Sequence, residues 1–139
     1  MHHLHIERHG EGPLVVFTHG GGDTMATWAH QIGHFAGAGW STLGWDLRGH
    51  GRSAAPHDPA YYSRDLAIED LEALAVPVLQ IVGARDEMFL RSTNYMATKL
   101  TGPTITHVVP GAGHHVHRGA ADITNRAIEA FLQGLPPSN

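Results

Sequence analysis

The 139 residues carry a formal charge of −4, 42% hydrophobic and 16% charged side chains, and no cysteine. This is the make-up of an ordinary globular chain. It excludes a basic footprint for nucleic acid or an anionic membrane, and it excludes disulfides and thiolate metal sites. The length suits one domain spanning residues 1–139. No stretch approaches the roughly 20 apolar residues that a bilayer span needs. The opening residues lack the continuous apolar core of a signal peptide, so the expected compartment is the cytoplasm.

In chain order, residues 3–8 alternate loosely and predict an edge strand. Residues 14–18 are a short apolar run before a glycine cluster, the pattern of a strand buried on both faces of a parallel sheet. Residues 27–38 predict a helix with Trp28, Ile32 and Phe35 inward, ended by Gly37 and Gly39. A third strand spans 41–47. A helix capped by Ser63 runs to 74, with Leu66, Ile68, Leu71 and Leu74 along one face. A fourth strand follows at 77–82, a shorter helix at 93–100 and a fifth strand at 104–109. A closing helix at 120–133 turns Ile123, Ala127, Ile128 and Phe131 inward, and Pro136 and Pro137 end the fold. Strands alternating with helices predict an α/β fold with a mainly parallel sheet of about five to six strands, sandwiched in three layers.

Four segments carry the functional signal. They are Leu14-Val-Val-Phe-Thr-His-Gly-Gly-Gly-Asp23, Trp45-Asp-Leu-Arg-Gly-His-Gly-Arg-Ser53, Val78-Leu-Gln-Ile-Val-Gly-Ala-Arg-Asp86 and Val108-Val-Pro-Gly-Ala-Gly-His114. In order and context they resemble the α/β-hydrolase superfamily, its epoxide hydrolases, haloalkane dehalogenases and esterases among others. The resemblance implies that Gly20 and Gly21 supply part of an oxyanion hole, that Asp86 is the triad acid and that His114 is the general base. Between residue 74 and the fourth strand the family places a further strand, the Gly-x-Ser-x-Gly elbow, a central helix and usually a cap. Here the two flanking segments join directly, so the chain is a truncated relative without elbow or cap. The loose match at Gly51-Arg-Ser53-Ala-Ala55 follows a strand but runs into Pro56 rather than a helix, so Ser53 is rejected as nucleophile.

Joining the helix at 63–74 to the strand at 77–82 places that strand beside the 14–18 strand. It leaves one sheet face uncovered, and a homo-oligomer, dimer or tetramer, is expected to bury it. Thirteen histidines in 139 residues suggest a replacement for the missing nucleophile. A bound divalent ion, zinc above all, lowers the pKa of water to about 7 and makes hydroxide available. The ligands expected for it are His19, Asp23, His50, Asp86, His114 and His115. His19 and His50 also belong to the family pattern, where they pack loops. If residues 114–117 are extended, His115 and His117 share a side while His114 faces the other way.

The expected function is therefore a metal-dependent hydrolase of small activated esters, lactones or phosphotriesters. One alternative is a metal-free esterase in which His114, backed by Asp86, activates water. Another is a non-catalytic oligomeric remnant of the fold.

Overall fold

A computed structural model of the chain describes residues 3–73 and 76–135. The junction at Leu74 and Ala75, and the Pro136–Pro137 terminus, lie outside the described residues. The chain divides into two compact units, Met1–Ala67 and Ile68–Asn139, each described here by itself.

In the first unit, strands β1 (Ile6–His9), β2 (Leu14–Thr18) and β3 (Ser41–Trp45) form a sheet in the order β1-β3-β2. β2 runs parallel to β3, with Leu14 opposite Ser41 and Thr18 opposite Trp45, and β1 pairs antiparallel on the other side. A 3-10 turn, Met25–Trp28, leads into helix α1 (Ala29–Gly37). Phe17, Ile32, Phe35 and Trp45 are buried, and the Phe17 ring stands 5.6 Å from Trp28 and 6.2 Å from Phe35. The two indoles tie down the end of β2: Trp28 donates to the Thr18 carbonyl at 3.1 Å and Trp45 to the Thr18 hydroxyl at 2.7 Å. Beyond α1 the chain reverses at Gly39, whose φ of 90° is open to glycine at little cost.

Helix α2 (Arg64–Glu72) starts as the serine cap predicts, with the Ser63 hydroxyl accepting the Leu66 amide at 3.1 Å. Its one buried residue is Ile68.

In the second unit, β4 (Val78–Gly83) and β5 (Thr104–Val109) form a parallel pair in the register Val78 to Thr104 and Gly83 to Val109. They alternate with helices α3 (Glu87–Lys99), α4 (Val116–Gly119) and α5 (Ala121–Gln133). Ile68, Val82, Val109, Val116 and Ile128 are among its buried apolar side chains, with Leu100 at their margin.

The α/β class and the five strands match the sequence pattern. The hydrogen-bonded ladders described lie within the units, three strands in the first and two in the second. Within its unit β2 is not buried throughout: Phe17 is buried while Leu14 is 53% exposed. Helix α3 begins six residues before the expected position 93, because the Asp86 carboxylate caps it by accepting the Phe89 amide at 3.3 Å. Residues 116–119 form a helical turn instead of an extended run. The inward face of α5 is rotated: Thr124, Asn125 and Ile128 are buried while Ile123 is 41% exposed. No helix among the described residues is long and apolar enough to cross a membrane.

Candidate active site

The motif loops of the first unit are held by histidines and a carboxylate turned toward backbone. His19, 3% exposed, donates from Nδ1 to the Gly20 carbonyl at 2.7 Å and accepts the Leu47 amide on Nε2 at 2.9 Å. The amide partner fixes the tautomer, since only a lone pair can receive it. Burial above all, with the neighbouring His50, lowers the His19 pKa from its ordinary value and favours the neutral ring. His50 is arranged alike. Nε2 accepts the Gly22 amide at 3.0 Å and Nδ1 faces the Arg48 carbonyl at 3.0 Å. The two rings stand 5.1 Å apart.

Asp46 binds the same loops from the other side. Its carboxylate accepts the Met25 amide at 2.7 Å and the Arg52 amide at 3.0 Å. Burial alone would raise its pKa, but these two donors, with the nearby His19 and His5, together outweigh it and hold the group below the ordinary carboxylate value. The loop wraps the carboxylate so closely that a β-carbon on Gly51 would lie 2.2 Å from Oδ2. Ser53 is buried and spends its hydroxyl on backbone, donating to the Asp46 carbonyl at 2.5 Å and accepting the His5 amide at 2.8 Å. A hydroxyl so engaged is no nucleophile, as its place before Pro56 implies.

Of the six residues expected to hold a metal, His19, Asp23 and His50 fall in the first unit and Asp86, His114 and His115 in the second. His19 and His50 have both ring nitrogens in hydrogen bonds to backbone, so a metal bond to either would break one. In the structure both rings tie the loops together. Asp23 turns Oδ1 onto the Thr24 amide at 2.9 Å. Gly20 and Gly21, the oxyanion candidates, are exposed in the loop after β2. The next amide, Gly22, is committed to His50.

The second unit brings two of the predicted residues into direct contact. Asp86 Oδ2 lies 2.6 Å from His114 Nδ1, while Oδ1 accepts the Phe89 amide. The loops that carry the pair are laced together: the Arg85 amide donates to the Ala112 carbonyl at 2.9 Å and the Ala84 amide to the Val109 carbonyl at 3.0 Å. Such close approach depends on Gly83, since a β-carbon there would meet the Gly113 and Ala112 carbonyl oxygens at 2.2 and 2.5 Å. The Phe89 ring stands 4.3 Å from the imidazole and the His115 ring 4.8 Å from it. Asp86 is nearly covered, at 10% side-chain exposure, whereas His114 is 39% exposed. With Nδ1–H directed at the carboxylate, Nε2 at the far end of the ring keeps its lone pair. An imidazole so oriented is built to take a proton.

A family model described as serine aminopeptidase, S33, of the α/β-hydrolases, matches residues 11–90, more than half of the chain. The chain belongs to this α/β-hydrolase family. Among its relatives, an epoxide hydrolase of Caballeronia sordidicola is 39% identical over 84 residues, which are 58% of this chain and 26% of the relative. An epoxide hydrolase of Siraitia grosvenorii is 33% identical over 87 residues, 63% of this chain and again 26% of the relative. The chain thus spans about a quarter of the length of these curated relatives. An epoxide hydrolase variant of Vigna radiata matches 78% of the chain and 35% of its own at 26% identity and a TM-score of 0.56. Epoxide hydrolase A of Mycobacterium thermoresistibile matches the fold over 99% of this chain and 97% of its own, with a TM-score of 0.75 at 15% identity.

In this α/β-hydrolase the sequence reading missed Phe89, which touches both members of the pair, by its amide and by its ring. The signal was present: an aspartate three residues before Phe89 is a helix cap as well as an acid. It also missed Gly83, whose role appears only when the two loops are seen side by side.

Proposed function

We propose that the chain is a hydrolase in which His114, oriented by Asp86, draws a proton from water as the water attacks a small electrophile. The observation that carries this reading is the 2.6 Å contact between Asp86 Oδ2 and His114 Nδ1. The carboxylate fixes the ring and stabilises the imidazolium that forms, and Nε2 receives the proton. The same nitrogen then returns it to the oxygen released when the carbon–oxygen bond breaks. The half-exposed ring suits small molecules arriving from solvent. The names of the relatives point to epoxides as the first substrate class, opened to a diol, with activated esters as the second.

This reading needs no metal, and it departs from the metal-dependent route because His19 and His50 spend their nitrogens on the loops. The test is turnover of styrene oxide and of p-nitrophenyl acetate by the purified chain. His114→Ala is expected to lower the rate by about 100-fold or more, and a chelator to leave it unchanged. Turnover lost on chelation and restored by zinc would return the metal-dependent reading. No turnover of either compound above that of His114→Ala would leave a non-catalytic remnant of the fold.

A further inference from the structure

An epoxide asks for more than a base. Water adds to one face of a ring carbon while the carbon–oxygen bond breaks on the opposite face. His114 Nε2, which takes the proton of the attacking water, therefore stands across the carbon from the oxygen released. A proton held there reaches that oxygen only after the bond has broken. Meanwhile the oxygen leaves as an alkoxide, a strong base, and a proton donor already at its side speeds the cleavage.

The second unit holds such a donor beside the base. His115 is exposed to solvent, and its ring centre lies 4.8 Å from that of His114 with the planes crossed at 66°. Rings so crossed do not stack, and their nitrogens point along different lines. With the attacking oxygen about 3–3.5 Å from the carbon and a carbon–oxygen bond beyond it, the two oxygens stand roughly 4–5 Å apart. The spacing of the rings is on that scale. His115 is also held in place. Its carbonyl accepts the Arg118 amide at 3.2 Å and the Gly119 amide at 2.9 Å, which ties its backbone to the first turn of α4. The buried His117 ring packs edge-on against the His115 ring at 5.8 Å. An imidazole flanked by two others stays near the base instead of sweeping through solvent.

We propose that His115 is the proton donor to the oxygen released when an epoxide is opened, an inference that rests on the hydrolase reading above. The water oxygen forms the new bond to carbon and gives its proton to His114 Nε2. The old carbon–oxygen bond breaks with its electron pair on oxygen, and the His115 imidazolium protonates that oxygen. The diol departs, His114 releases its proton to solvent and His115 takes one up, so the net change is addition of one water. An activated ester makes no such demand, because p-nitrophenolate leaves without a proton.

The test compares the two substrates in the full chain, with far-UV circular dichroism to check that each variant is folded. His115→Gln is expected to slow styrene oxide opening by about 100-fold, the lower end of what a positioned acid contributes. It should leave p-nitrophenyl acetate turnover unchanged, whereas His114→Ala should slow both. Free imidazole added to His115→Ala should restore part of the styrene oxide rate and none of the ester rate. Equal slowing of both substrates by His115→Gln would make His115 a mere support for His114 and overturn the proposal. Slowing of neither by His115→Gln, with both still slowed by His114→Ala, would overturn it and leave the hydrolase reading standing. So would turnover of the ester with none of the epoxide. If His114→Ala slows neither substrate, the hydrolase reading falls and this proposal with it.

Discussion

Gly83 at the end of β4 and Gly113 in the loop after β5 approach so closely that a β-carbon on the first would lie 2.2 Å from the carbonyl oxygen of the second. The contact is backbone against backbone, so neither side has a flexible end to yield. Gly83→Ala must therefore push the His114 loop away from the Asp86 loop. The expected cost is about 1–3 kcal/mol of stability, as for other overpacked sites. Turnover should fall further than stability does, because the displaced loop carries the imidazole. Denaturant unfolding and steady-state rates on the same preparation check both. A stable variant with full activity would mean that the loops tolerate separation.

Asp86 caps α3 with one oxygen and orients His114 with the other, and the two duties are separable. Asparagine caps a helix about as well as aspartate, but it offers no charge to an imidazolium. Asp86→Asn should keep its unfolding midpoint while losing most of its turnover. Asp86→Ala should lose the turnover and in addition about 1 kcal/mol of stability. Equal loss of stability in the two variants would refute the division of labour.

Ser53→Ala is expected to act on the fold alone. The hydroxyl bridges the Asp46 carbonyl and the His5 amide in a buried place, and its removal leaves both without that partner. About 1–3 kcal/mol should be lost. The rate per folded molecule should stay near that of the parent. A covalent adduct on Ser53 from an active-site serine reagent would contradict this.

The pH dependence of the first unit should carry the mark of His19. Its ordinary pKa of 6.5 is lowered in the folded chain, chiefly by burial. Between the lowered value and 6.5 the unfolded chain therefore holds more protons, and stability falls as the pH falls. The contribution of the neutral ring is whole above about 6.5 and drains away as the solution is acidified through that value toward the folded pKa. Asp46 acts only at still lower pH, because its pKa is lowered from 3.8, so its contribution is lost below that value. Urea midpoints measured from neutrality downward through 6.5 should fall accordingly in the parent, and His19→Gln should flatten that slope. An unchanged slope in that variant would assign the proton to another group.

How legible the molecule was depends on whether the signal was local. The strands, the serine cap at Ser63 and the helix end at Gly39 are written in short runs of sequence, and all lie near where the residues put them. The Asp86–His114 pair was also legible, because each residue closes a recognisable segment just past the end of a strand. What was hidden depended on partners distant in the chain. Nothing within residues 14–18 says that Leu14 stays exposed while Phe17 is buried. The residue types at His19 and His50 are as fit for a metal as for a hydrogen bond, and only the fold shows the Leu47 and Gly22 amides opposite them. Asp86 misled for the opposite reason. Read as an acid alone, it concealed the start of α3, and so concealed Phe89.

The double engagement of Asp86 makes the start of α3 a listening post. The Phe89 amide hydrogen and the His114 ring share a single carboxylate, one on each oxygen. When the imidazole gains a proton, or a bound molecule alters its charge, electron density on that carboxylate shifts. The amide resonance of Phe89 moves with it. A nitrogen–proton spectrum then follows the His114 ring through a backbone signal, with no substrate and no label on the histidine.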